Sequence, residues 1–252
     1  MFTILAGALI VLSSLALGIG GLALMYRFVP VSLLQAHYSA TGAIYAALYV
    51  MFGISLGFSL YLVWQEYEAA TQTVEAEAAA VSRLYWLADL YPDPQRSRIQ
   101  ELAVSYTRVV VKDEWPLMRK GQVSPHAEQL MRQLAVAVRE LDPKNDFQNG
   151  LYADALGRLD VLIANRALRS SEVREGIPSV VWFVMVAGAV ITVGFTYLFA
   201  MQSFKLHAVA TGALTIIVVL LLFTVGILNH AFNGDVRIGP EAFELALKQM
   251  SK

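Results

Sequence analysis

Residues 53–68 read Gly53-Ile54-Ser55-Leu56-Gly57-Phe58-Ser59-Leu60-Tyr61-Leu62-Val63-Trp64-Gln65-Glu66-Tyr67-Glu68. The stretch opens apolar, studded with small residues, and ends in carboxylates; after Gly57 no Gly or Pro interrupts it. Strong helix formers continue through Tyr67-Glu68-Ala69-Ala70 and Val74-Glu75-Ala76-Glu77-Ala78-Ala79-Ala80. The expectation is one unbroken helix from Thr41 to about Ala88 that leaves a membrane and runs on into water. At roughly 1.5 Å per residue such a rod is about twice the thickness of a bilayer core.

The rest of the chain supports a membrane setting. Of 252 residues, 57% are hydrophobic and only 15% charged, with mean hydropathy +0.54. Soluble domains carry about 25% charge, so a large part of this chain belongs in lipid. The net charge of -1 gives no footprint for nucleic acid. The absence of cysteine excludes disulfides and thiolate metal sites. The first 25 residues lack a basic start and are too long and apolar for a cleaved signal peptide, so they read as a retained anchor.

Four segments reach the length of a span, residues 2–26, 42–64, 177–201 and 206–228. They make two hairpins, joined by residues 27–41 and 202–205. Between the hairpins, residues 65–176 carry 14 Lys and Arg against 17 Asp and Glu, so this part faces water. Helical periodicity runs through Ile99, Leu102, Tyr106, Val109 and Val110, then Leu130, Leu134, Val138 and Leu141, and more roughly from Leu151 to Leu168. Breaks fall at Tyr91–Pro94, at Trp115-Pro116 through Ser124-Pro125, and at Leu141–Asn145. Asp93 or Pro94, Ser124 and Asp142 are the expected helix starts. The fold class is therefore an all-α membrane protein, four transmembrane helices in two hairpins with a helical water-facing domain inserted between them. Its parts are residues 1–64, 65–176, 177–230, and a C-terminal turn and short amphipathic helix in 231–252. That last helix, with Phe243, Leu247 and Met250 on one side, suits either a membrane surface or the helical domain. Arg166, Arg169, Arg174 and Arg237 lie near span ends on the domain side, against Arg27 and Lys205 on the other, a bias that favours a cytoplasmic domain.

On the second span Val50, Ile54, Phe58 and Leu62 form an i, i+4 row, with Gly53 and Gly57 beside it as a small-xxx-small pair. Either the glycines bring identical helices together around an axis lined by the row, a hydrophobic constriction, or they pack on another span of the same chain. Past the span come Glu66, Glu68, Glu75 and Glu77; Glu68 and Glu75 share a face. They read either as carboxylate rings at a pore exit or as a solvated helix surface.

These residues resemble a known family. Residues 54–60 followed by Trp64 look like the neck of bestrophin anion channels. Val63–Tyr67, Glu75–Ala78, Glu114–Met118, Leu159–Arg169, Ile177-Pro178 with Trp182, and Phe232–Ile238 resemble the bacterial bestrophin-like domain proteins, over about residues 40 to 250. The resemblance implies a homo-oligomeric ion channel, tetramer or pentamer, of a bacterial inner membrane. Small inorganic ions and membrane lipid are its implied partners, and Val50, Ile54 and Phe58 stand at the neck positions. The chain departs from the pattern in three places. Glu66 to Ala80 runs on as plain helix where bestrophins carry a Trp-rich, Pro-containing segment. The chain has no Asp-rich calcium loop, and Asn229-His230-Ala231 replaces an Asp and a Pro that the bestrophin-like family carries before Phe232.

Other residues point to no chemistry. His37, His126, His207 and His230 lack the spacing of a metal site and read as polar interfacial residues. Glu114 beside Trp115 has no nucleophile or base partner, and no Gly-rich phosphate loop occurs. No enzyme activity and no cofactor is expected. Arg166, Arg169 and Arg174 suit lipid phosphates or salt bridges within the bundle. No Asp, Glu, Lys or Arg lies well inside a span, which argues against a coupled transporter. The competing reading is a non-conducting, membrane-anchored helical scaffold.

Overall fold

The computed structural model describes residues 2–30, 38–173, 176–199, 201–233 and 236–251. His37, Arg174, Gly234 and Asp235 lie outside the described residues. The helices are α1 (Phe2–Phe28), α2 (Tyr38–Ala88), α3 (Gln95–Val109), α4 (Trp115–Met118), α5 (Pro125–Arg139), α6 (Asp146–Glu172), α7 (Ser179–Thr196), α8 (Phe204–Leu228) and α9 (Glu241–Met250). A π-helical turn, Val110–Glu114, joins α3 to α4. No strand occurs among the described residues. The architecture is all-α, with four helices long and apolar enough to cross a membrane. The chain divides into two compact units, residues 1–65 with 177–229, and residues 66–176 with 230–252. The helix α2, 51 residues long, contributes to both.

In the first unit α1 lies along α8, α8 along α7, and α1 also meets α7. Lipid tails are as apolar as Leu, so close approach and hydrogen bonds hold such helices together. Bare glycine surfaces receive aromatic rings. A Cβ on Gly7 or Gly188 would fall 2.7 Å from the ring of Phe223 or Phe52, and one on Gly21 would fall 2.7 Å from the Tyr197 hydroxyl. That hydroxyl donates to the Gly18 carbonyl at 2.8 Å. His207, which the sequence suggests as a polar interfacial residue, is enclosed by its own chain. It is 1% exposed, with Nε2 2.8 Å from the Thr196 carbonyl and Nδ1 3.0 Å from the Tyr26 hydroxyl. Asn229, one of the departures from the family pattern, accepts the Ile177 N–H at 2.6 Å and so ties the end of α8 to the approach to α7. Pro178 stands at the N-cap of α7.

In the second unit the three amphipathic runs become α3, α5 and α6. Ser124 caps α5, its hydroxyl accepting from the Ala127 N–H at 3.3 Å. The start of α6 is Asn145 rather than Asp142. Asn145 accepts from the Gln148 N–H at 2.9 Å, and Gln148 reaches back to the Lys144 N–H at 2.7 Å, a reciprocal arrangement open to Asn145. Asp142 pairs instead with Lys144. The expected break from Trp115-Pro116 to Ser124-Pro125 falls only at residues 119–124 and leaves Pro116 inside a helix. Pro lacks an N–H and clashes with the carbonyl four residues back. The chain widens there into a π turn, Trp115 donating to the Val110 carbonyl five residues back, and stays helical to Met118. Gly121, at φ 73°, then makes the turn that follows α4. The C-terminal helix α9 packs on this unit, burying Phe243, Ala246 and Met250 in its core.

Filling one glycine notch tests the packing of the first unit. Gly188→Val is expected to cost about 1–3 kcal/mol through overpacking against Phe52, read as a lowered melting temperature in detergent. Val at Gly20, where a Cβ meets nothing within 4 Å, is the control expected to melt like the parent.

Candidate functional site

Two features of α2 concern function, the outer face along its length and a buried carboxylate. In the first unit the row Val50, Ile54, Phe58 and Leu62 is 45–68% exposed. A Cβ on Gly53 or Gly57 would meet nothing within 4 Å. The helix is held from its other side, where Leu56 and Val63 are buried. In the second unit an exposed row recurs at three- and four-residue steps through Glu68, Gln72, Glu75, Ala79, Arg83 and Trp86. Between α2 and α9 lies a groove of 610 Å³ floored by Ala78, Ala79, Ser82 and Ala246, with Trp86 and Leu245 among its walls.

Glu77 parts company with the other carboxylates past the span. It lies on the face of Ala70, Val74, Ala78 and Val81 and is completely buried. Arg169 of α6 grips it with two bonds, Nε to Oε2 at 2.6 Å and Nη2 to Oε1 at 2.9 Å. The Tyr106 hydroxyl donates to the same Oε1. Arg169 also donates through Nη1 to the Met118 sulfur at 2.8 Å, and its guanidinium lies 5.3 Å from the Trp115 ring and 5.6 Å from that of Phe243. One turn earlier on α6, Arg166 bonds Glu114 at 2.9 Å, Tyr106 at 3.2 Å and Glu128 at 3.2 Å. A 3.7 Å pair between Arg169 and Glu114 links the two halves. Glu114 Oε1 is buried without a partner among the described residues.

The electrostatics follow from burial. Burial alone disfavours a charged guanidinium, but the carboxylates around Arg169 and Arg166, with Tyr106, outweigh it and hold both pKa values above the ordinary arginine range. Burial and the neighbouring Glu77 push the Tyr106 hydroxyl well above its usual value, so it serves as a neutral donor. Burial raises the Glu128 carboxyl, yet bonds from Arg132 and Arg166 overcome this and leave it below the usual range.

Arg166 and Arg169 therefore do not meet lipid phosphates; they are core residues of the second unit. They also drop out of the count of membrane-end cations that favours a cytoplasmic domain. Trp115 is buried, donating Nε1–H to the Ile238 carbonyl at 3.2 Å and packing on Phe232 and Phe243.

Truncating one member of the network is expected to be costly. Arg169→Ala leaves Glu77 buried without its guanidinium, a loss of roughly 3–5 kcal/mol, measured by denaturation in detergent. Glu128 is 40% exposed, so Glu128→Gln should cost under about 1 kcal/mol. Because its folded pKa is lowered, that contribution is present at neutral pH and fades as pH falls through the folded value. A parent–variant difference that persists unchanged into strong acid rules this out.

The family of the Bestrophin-like domain matches residues 12–243. Among curated proteins none matches the chain. Among solved structures, a point variant of a bacterial bestrophin homologue from Klebsiella pneumoniae is 13% identical, with 96% of this chain and 98% of that one aligned at TM-score 0.68. The structure of the homologue from the same organism determined by zinc phasing is 14% identical, with 95% and 98% aligned at TM-score 0.66. At such identity the likeness establishes the fold. With the family match over most of its length, this chain belongs to the Bestrophin-like domain family.

Proposed function

We propose that the chain is a homo-oligomeric, bestrophin-like ion channel and not an enzyme. Copies of α2 surround a central axis, and ions pass a hydrophobic neck made by Val50, Ile54 and Phe58. Leu62 continues the row, and Glu68 and Glu75 stand along the exit. Gly53 and Gly57 are the packing surface through which neighbouring copies approach, in a tetramer or pentamer. The proposed setting is a bacterial inner membrane, with the helical unit on its cytoplasmic side and lipid against the outer spans.

One observation carries this reading. On α2 each unit leaves a row that its own chain does not cover, apolar in the first (Val50, Ile54, Phe58 and Leu62) and polar in the second (Glu68, Gln72 and Glu75). Lipid alone explains exposed apolar residues, as at Ile4 or Phe183. It does not explain Glu68, Gln72 and Glu75 following on the same helix, which require water beside them. A row that changes from apolar to polar suits a conduit with a dry constriction and a wet vestibule. The alternative, a non-conducting scaffold, draws support from the groove between α2 and α9, where Trp86 and Leu245 offer apolar surface beside small residues.

Phe58→Ala should widen the constriction and raise ion flux severalfold in liposomes reconstituted with the assembled protein. Absence of flux from both parent and variant, with the assembly intact by mass, returns the chain to the scaffold reading. Gly53→Leu or Gly57→Leu should convert the detergent-solubilised assembly to smaller species; an unchanged particle mass removes the two glycines from the interface.

A further inference from the structure

We propose that His207 is a proton-operated clasp within the first unit. When its imidazole takes up a proton, it ties the end of α1 to the turn between α7 and α8; when it loses that proton, one of the ties is given up. The clasp does not require conduction.

Three contacts meet at this point. His207 Nε2 lies 2.8 Å from the Thr196 carbonyl, the Tyr26 hydroxyl lies 2.7 Å from the Met201 carbonyl, and the same hydroxyl lies 3.0 Å from His207 Nδ1. A carbonyl oxygen can only accept. Nε2 must therefore carry a hydrogen for Thr196, and the single hydroxyl hydrogen of Tyr26 must go to Met201. The Tyr26 oxygen is then left to accept, and Nδ1 must donate to it. All three bonds form together only when both ring nitrogens carry hydrogen, which is the imidazolium. With Nδ1 bare, the Tyr26 hydrogen serves either Met201 or His207, and the contact it abandons sets one lone pair against another. The edge-on contact of the Tyr26 and Phe204 rings, 5.3 Å apart, is indifferent to this choice.

The surroundings do not fix the state of the ring. His207 is 1% exposed, and burial disfavours charge. No Asp or Glu occurs in residues 1–65 or 177–229, so the first unit holds no carboxylate to pair with the ring. Thr196 is the last residue of α7, whose negative dipole end favours a cation, while His207 itself lies in the first turn of α8, whose positive end opposes one. The titratable and charged groups of the elements around it are Tyr26 and Arg27 of α1, Tyr45 of α2, Tyr197 at the end of α7, and Lys205 of α8. Tyr197 is bonded to the Gly18 carbonyl, Tyr45 lies against the Phe195 and Phe199 rings, and Arg27 and Lys205 are exposed. Of these, Tyr26 alone hydrogen-bonds the ring among the described residues. Hydrogen bonds draw the ring toward charge and burial draws it away, so the pH of the medium decides.

Ring-nitrogen spectra of the full-length assembled protein, carrying 15N-labelled histidine, read the clasp directly between about pH 5 and about pH 8. The His207 signals are those that vanish in His207→Gln. In the parent, both nitrogens should be protonated at the acid end and Nε2 alone at the other. Tyr26→Phe keeps a ring against Phe204 but removes the acceptor for Nδ1–H. Its midpoint should fall by at least about one pH unit, a tenfold weaker hold on the proton. The melting temperature in detergent gives a second readout. The parent should exceed Tyr26→Phe most at the acid end, and the gap should narrow as pH rises through the parent's midpoint. A His207 ring that stays in one state across the range overturns the proposal, as does a Tyr26→Phe midpoint within about 0.3 pH unit of the parent's. If Tyr26→Phe does not assemble, the parent's spectra decide. Passage from two protonated nitrogens to Nε2 alone supports the clasp, and loss of the Nε2 hydrogen in place of the Nδ1 hydrogen overturns it.

Discussion

A guanidinium with no access to water must have its donors met by protein, and the second unit is organised around meeting those of Arg169. The partners come from separate elements: the Glu77 carboxylate from α2, the Met118 sulfur from α4, the Trp115 and Phe243 rings from α4 and α9. Arg166 repeats the pattern one turn away with Glu114 from the π turn and Tyr106 from α3. Two arginines on one face of α6 thus join most of the elements of the unit. The π turn belongs to the same arrangement. By carrying the helix past Pro116 it keeps Glu114 and Trp115 both buried, one toward Arg166 and the other against Phe243. Such a network need not raise stability, because desolvating its charges offsets most of the Coulombic gain. What it supplies is a single permitted arrangement.

The first unit answers a different solvent. In hydrocarbon the backbone has no external partner, so each span is helical, and burying Leu or Val gains little where lipid is equally apolar. The contacts that hold are steric and polar. Rings seat on Gly7, Gly21 and Gly188, and hydroxyl and imidazole groups are satisfied between helices, as at Tyr26, His207 and Thr196. The row Val50, Ile54 and Phe58 takes no part in this packing. In the same unit Phe52, on a neighbouring face of α2, fills the notch at Gly188. The helix has a side committed to its own chain and a side that its own chain leaves uncovered.

Glu77 and Arg169 show why some of this was legible and some was not. In sequence Glu75 and Glu77 look alike, two acids in an alanine-rich helix. The signal that separates them is the company on each face: Ala70, Val74, Ala78 and Val81 surround Glu77, whereas Glu68, Gln72 and Ala79 share the side of Glu75. A helical-wheel reading of residues 66–88 finds this difference, and grouping the acids by proximity to the span conceals it. Arg166 and Arg169 mislead for a related reason. Placed shortly before a span, they read as membrane-end cations, and no local feature says that acids far earlier in the chain wait for them. Pro116 reads as the start of a break because a proline disrupts an α-helix; a π turn is an escape that hydrophobic periodicity does not encode.

What this sequence determined by itself is local or compositional. Hydropathy over twenty residues places the spans, helix propensity without Gly or Pro carries α2 onward into water, and amphipathic periodicity yields α3, α5 and α6. Each depends only on near neighbours and on the solvent outside. The tertiary structure alone decided which charged residues enter the core. Glu77 and Arg169 are 92 residues apart, and burial of either is tolerable only when the other has arrived. That condition is a property of the folded whole, because the cost of desolvating a charge is cancelled by a partner that no segment of the chain contains on its own.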